Sequence, residues 1–154
     1  MHRDLKPENM FFNSDGRIIL IDFGSSDDLA EPDLRKVKID DDPRRNTHVN
    51  FVGTSQYMAP ECVRNKPVGT PADIWSLGCI LYQFITGLCP FRGASDYLIF
   101  RRSTETKYNL DFVRSPEAKD LISKCLQANP EDRLTIDSVL EHPFLASISE
   151  EPKL

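Results

Sequence analysis

The sequence predicts an α+β chain that is mostly helical, and three observations carry that expectation. Two short apolar runs, MFF (Met10 to Phe12) and IILI (Ile18 to Ile21), flank NSDG, whose Asp-Gly favours a tight turn, so a small β-hairpin is expected. The segment TPADIWSLGCILYQFITG is apolar nearly all the way round a helix, which places it in the middle of a domain. Three further stretches with helical spacing follow it, at about Ser95 to Arg102, Ser115 to Gln127 and Thr135 to Glu141.

Taken in order, the chain opens on HRDLKPEN, a loop dense in charge, and enters the hairpin directly. From Ser25 to Asn50 the text is rich in charge and proline without a sustained period, which predicts a long, mobile surface loop whose IDDDPRR clusters are solvated. The central helix has Thr70 as its expected cap, Pro71 at its first position and Gly87 just past its end. Ile74, Leu77, Leu81, Phe84 and Ile85 form one stripe, and Trp75, Cys79, Ile80 and Tyr82 cover most of the remaining circumference. Ser115 is the expected cap of the next-to-last helix, with Ala118, Leu121, Ile122 and Cys125 turned inward. No internal repeat is present.

At 154 residues one domain is expected, and its size alone demands neither disulfides nor oligomerisation. A formal net charge of −5 argues against nucleic acid or an anionic membrane as the main partner. The absence of a long apolar run predicts a soluble, cytoplasmic protein. Cys62, Cys79, Cys89 and Cys125 lack paired metal-ligand spacing and read as free thiols, and His2, His48 and His142 are too scattered to suggest a metal site.

HRDLKPEN at His2 to Asn9, DFG at Asp22 to Gly24 and APE at Ala59 to Glu61 together resemble the ordered signature set of protein kinases. Singly, Asp4, Asn9 and Asp22 would pass for loop caps and turn formers. The resemblance implies the C-terminal lobe of a protein-kinase-like fold, with a hairpin, a long activation loop and a helical bundle around a buried central helix. It implies a partial kinase domain over 1–145, a charged activation-loop insert at 25–50 and a tail at 146–154. It also implies ATP and Mg²⁺ as cofactors and protein Ser/Thr hydroxyls as acceptors. Asp22 and Asn9 would supply hard oxygen ligands for the metal, Asp4 would orient the acceptor hydroxyl as the base, and Lys6 would steady the transferring phosphate. Thr54 resembles the threonine that bridges the catalytic aspartate and lysine in Ser/Thr kinases. His2 and Phe23 resemble members of the regulatory spine, and Phe11, Ile80 and Phe84 resemble the adenine-side spine. Gly24 completes the metal-loop triplet, Asp73 would anchor the catalytic-loop backbone, and Glu61 with Arg133 would tie the activation segment to the late helices.

Within kinases, FVGTSQYMAPE and DIWSLGCILYQFITGLCPFRGASDYLIF look most like the 3-phosphoinositide-dependent branch of the AGC group. In that branch a serine precedes FVGT, whereas Asn50 stands here, so Arg3 lacks its usual phosphate partner unless Thr47 substitutes. The 154 residues hold no Gly-rich loop, no third-strand lysine and no glutamate partner for it. The expectation is therefore a serine/threonine kinase fragment that is catalytically feeble alone. The alternative is a non-catalytic module that docks substrates or a partner. Glu8 could attract a basic residue near the phosphoacceptor, or serve the loop alone.

Overall fold

A computed structural model describes residues 1–26 and 55–146. Most of the 25–50 insert, Thr47, Thr54 and the tail from 147 onward lie outside the described residues. Strands β1 (Met10–Phe12) and β2 (Ile18–Leu20) form the antiparallel hairpin, with Met10 opposite Leu20 and Phe12 opposite Ile18. The turn closes because Asn13 Oδ1 accepts from the amides of Asp15 (3.0 Å) and Arg17 (2.8 Å), while Gly16 takes φ +74°, a value costly for any side chain. Phe11, Phe12, Ile18 and Ile19 remain exposed on this ribbon.

The helices are α1 (Pro60–Val63), α2 (Pro71–Thr86), α3 (Asp96–Thr104), α4 (Pro116–Cys125), α5 (Ile136–Leu140) and α6 (Pro143–Ala146). α2 is the expected central helix, and Gly87 ends it at φ +74° with its amide bonded to Gln83 O at 2.7 Å. Two details differ from expectation. Thr70 occupies the cap position without a side-chain cap bond, because its helical backbone angles already fold the preceding turn onto Gly69 and Thr70 carbonyls. Burial also ends before the helix does: Ile74, Trp75, Cys79, Ile80 and Tyr82 are buried, but Phe84 and Ile85 in the last turn are exposed.

α2 and α4 touch closely because Gly78 has no side chain; a Cβ there would lie 2.7 Å from Cys125 Cβ and 3.0 Å from Leu126 Cδ2. Leu126 is drawn into that contact, so α4 stops at Cys125 rather than Gln127, and the Gln127 side-chain amide donates to Ser123 O at 2.7 Å. α3 runs two residues beyond the expected Arg102, and there the Ser103 and Thr104 hydroxyls bond back to Phe100 and Arg101 carbonyls. Thr135 proves to be the cap of α5 instead of its first residue, its Oγ1 accepting from Ser138 N. The core is built on Trp75, which stacks on Phe91 with centroids 5.1 Å apart and 7° between planes. Ile122, Leu126 and Val113 close around this pair, and a second cluster of Ile74, Leu121, Cys125 and Val139 lies along the other side of α2 and α4. Among the described residues no helix is long and apolar enough to cross a membrane.

All four cysteines are free thiols. Burial pushes the Cys62 thiol up to about 11 and the Cys125 thiol to about 12, with Cys79 also well above the ordinary value. The neutral thiols therefore stabilise the fold fully below the ordinary thiol pKa of 9.0, and that contribution is lost as pH climbs through about 11. Alkylation by iodoacetamide at neutral pH is expected to be about tenfold or more slower in the native protein than in urea. Equal rates in the two states would contradict this packing.

Candidate active site

The site begins with a loop pinned by one carboxylate. Asp73, in the first turn of α2, accepts the backbone amides of His2 (Oδ2, 2.7 Å) and Arg3 (Oδ1, 2.9 Å). These charge-assisted bonds hold Arg3 at φ +70°, a conformation unusual for a residue with a side chain. The reversal at Arg3 carries the chain into Asp4, the position expected to act on the acceptor hydroxyl.

Three predicted residues converge there. Lys6 Nζ donates to Asp4 Oδ2 at 2.7 Å, and Asn9 Nδ2 donates to the same oxygen at 3.3 Å and to the Asp4 carbonyl at 2.8 Å. The Pro7–Asn9 3₁₀ turn, with Pro7 at its first position, makes this possible by folding Asn9 back on Lys6 through an Asn9 N to Lys6 O bond of 3.0 Å. Both donors address Oδ2, so Asp4 Oδ1 takes no hydrogen bond from the described residues and is left to accept one. Asn9 is buried, and with its Nδ2 committed to Asp4 its Oδ1 is the side-chain atom that could serve as a ligand.

The hairpin delivers Asp22 to the same place. Ile21 N donates to Asn9 O at 3.0 Å, extending the β1–β2 register by one pair, so Asp22 follows immediately after the residue opposite Asn9. Asp22 adopts φ +61°, and its Oδ1 accepts from Gly24 N at 3.3 Å. His2 locks this end of the hairpin to the loop: Nδ1 accepts from Asp4 N (3.3 Å), which leaves Nε2 as the N–H that donates to Ile21 O at 3.1 Å. The Phe23 ring lies 5.0 Å from the His2 ring.

The other predicted positions divide. Glu61 and Arg133 form a two-pronged buried pair with both N–O distances 2.7 Å, and Arg133 also donates to Gln127 O (2.9 Å) and Pro71 O (2.8 Å) beneath the Trp75 ring. Phe11, Ile80 and Phe84 do not share one buried stack: Ile80 is in the core while Phe11 and Phe84 are more than half exposed, because one sits on the open hairpin and the other on the last turn of α2. Thr47 and Thr54 lie outside the described residues.

Sequence reading missed Ser76, whose hydroxyl donates to Tyr57 O at 2.9 Å and fastens the segment before α1 to α2. It also missed a polar cluster in which the Tyr57 hydroxyl donates to Gln83 Oε1 (2.6 Å) and the Cys89 thiol to Gln56 Oε1 (2.8 Å). These residues lie far apart in sequence, and no spacing announces them.

The residues fit a magnesium ion in the way such an ion binds beside phosphates. Asn9 Oδ1 and the Asp22 carboxylate are hard oxygens, and Mg²⁺ takes only one or two protein carboxylates when substrate phosphates supply other ligands.

Asp4, held by Lys6 and Asn9, thus lies in a loop whose Asn9 pairs with Ile21, the residue before Asp22 at the end of the hairpin. The protein kinase domain family matches residues 1–145, and the chain belongs to it. It is similar to the serine/threonine-protein kinase PDK1 of Cryptococcus neoformans, with 41% identity over 148 residues covering 96% of this chain and 12% of the relative. Schizosaccharomyces pombe serine/threonine-protein kinase ksg1 is 39% identical, covering 96% of this chain and 25% of that protein. The 3-phosphoinositide-dependent protein kinase 1 of Rattus norvegicus is 37% identical, covering 97% and 26%. The chain thus spans about a quarter or less of these relatives, and it is a serine/threonine kinase by family, close to the 3-phosphoinositide-dependent branch.

Proposed function

We propose that these residues form the phosphotransfer half of an ATP-dependent serine/threonine protein kinase acting in the cytoplasm. The observation that carries this reading is the shared oxygen at Asp4: Oδ2 accepts from both Lys6 and Asn9, while Oδ1 takes no hydrogen bond from the described residues and can accept one from an incoming alcohol. Asp4 orients the acceptor hydroxyl and takes its proton at Oδ1 as the bond to the γ-phosphorus forms and the bond from that phosphorus to the bridging oxygen breaks, ADP leaving with its electron pair. Lys6, bonded to the same carboxylate, holds a positive charge where the transferring group gains negative charge. Asn9 and Asp22 would hold magnesium, which when bound supplies charge neutralisation at the nucleotide phosphates. Asp73 and His2 are positioning residues, fixing the loop and the hairpin end against each other.

Residues 1–154 alone are proposed to turn over far below the roughly 1–100 s⁻¹ usual for kinases, because the 154 residues include no Gly-rich loop to cover the phosphates. The test places residues 1–154 at the matching position of the rat relative, with folding checked by a cooperative thermal transition. Transfer from Mg·ATP to serine and threonine peptides, and not to tyrosine peptides, is expected. A folded chimera that transfers nothing would favour a docking module, and ordinary turnover by 1–154 alone would refute the proposed feebleness.

A further inference from the structure

We propose that the groove beside α3 is a docking site for a phosphorylated peptide. Pro90, Arg92, Arg102, Lys107, Tyr108 and Asn109 line a space of about 310 Å³. None of them belongs to the loop of Asp4, Lys6, Asn9 and Asp22, so the site does not rest on phosphoryl transfer.

Its frame is fixed by the core beneath it. Phe91 is fully buried against Trp75, and the Tyr108 ring meets Phe91 edge-on with centroids 5.6 Å apart. Arg92 follows the first of these anchors, and Lys107 and Asn109 flank the second. Gly93 lets the chain turn tightly onto α3, since a Cβ there would lie 2.7 Å from Leu98 Cβ. The Tyr82 hydroxyl holds the Asn109 carbonyl at 2.8 Å, and the Arg102 guanidinium donates to the Arg92 carbonyl, joining the two sides of the groove.

The donors point to an oxyanion. Arg92 and Arg102 have no carboxylate partner among the described residues, while Lys107 shares Glu105 with Arg101. Asn109 Oδ1 accepts from Asp111 N at 2.7 Å, and its Nδ2 has no hydrogen bond among the described residues. No acidic residue lines the groove. In a chain of net charge −5 this is a local reversal of sign. Two guanidinium forks with an amide suit the tetrahedral face of a phosphate monoester, with the Tyr108 side chain forming part of the wall. The overall negative charge disfavours a long polyanion, whereas Pro90 and the half-buried Tyr108 offer apolar surface to a peptide backbone.

The test is an NMR titration of the isotope-labelled chain with the peptide Ala-Ala-phosphoserine-Ala-Ala. Saturable shifts are expected at the Asn109 side-chain amide and the Arg92 and Arg102 Nε–H groups, with none from Ala-Ala-Ser-Ala-Ala. The double variant R92Q/R102Q, whose remaining spectrum reports an intact fold, is expected to weaken binding about tenfold or more. The affinity should also fall as salt is raised from about 50 to about 200 mM. No saturable shift, or equal binding by the variant, would overturn the proposal. So would inorganic phosphate binding as tightly as the peptide, which means an adventitious ion only. Equal affinity for Ala-Ala-Glu-Ala-Ala or preference for oligothymidylate would likewise reject a phosphopeptide as the occupant.

Discussion

Arg133→Met is expected to destabilise the protein by about 3–5 kcal/mol. The side chain of Arg133 is fully buried and that of Glu61 nearly so, so removing the guanidinium strands a carboxylate away from water. It also leaves the Gln127 and Pro71 carbonyls without their donor and removes the cation from the Trp75 face. Whole domains have only about 5–15 kcal/mol of stability, so the loss is about a fifth or more of the total. At about 2–4 °C per kcal/mol for a domain of this size, the melting temperature should fall by about 6–20 °C. The double variant E61Q/R133M is expected to recover part of the loss, because the stranded charge is gone. Urea unfolding of the four proteins checks the cycle; a loss under about 1 kcal/mol for Arg133→Met would mean that water reaches the pair after all.

That ion pair also marks the limit of what sequence alone could reveal. Glu61 and Arg133 stand 72 residues apart, and no periodicity joins them; only their match to a family pattern singled them out. The hairpin was legible because its signals are local: an Asp-Gly turn between two apolar runs sets both register and direction. The same local logic brought Asn9 and Asp22 to one end of the ribbon. α2 was legible from composition, yet its exposed last turn was not, since Phe84 and Ile85 look as apolar as Ile80 and only the surrounding packing distinguishes them. α1 and α6, at four residues each, are too short to show a period. The end of α4 was misplaced by two residues because it is decided by Leu126 packing against Gly78 on another helix, a contact without a local signature.

In the chimera described above, Asp4→Asn and Asp22→Asn are expected to abolish most activity through separable causes. Asp4→Asn removes the carboxylate oxygen proposed to accept the alcohol proton, a function typically worth about 10²–10⁴ in rate. Its amide cannot offer both a proton acceptor and the two-donor Oδ2 that Lys6 and Asn9 now share. The loss should therefore fall on kcat, corresponding to about 3–5 kcal/mol of transition-state stabilisation, with the KM for nucleotide little changed. Asp22→Asn keeps the Gly24 hydrogen bond through its remaining oxygen but gives up the negative charge that would hold magnesium. Its deficit should appear as a raised magnesium requirement, with part of the activity restored at high metal concentration. Identical kinetic patterns for the two variants, or a kcat within about tenfold of the parent for Asp4→Asn, would dismiss the division of labour assigned to these carboxylates. The contrast follows from their positions: one is fixed by a lysine and an asparagine within its own loop, and the other stands at the hairpin's end, held among the described residues by a glycine amide.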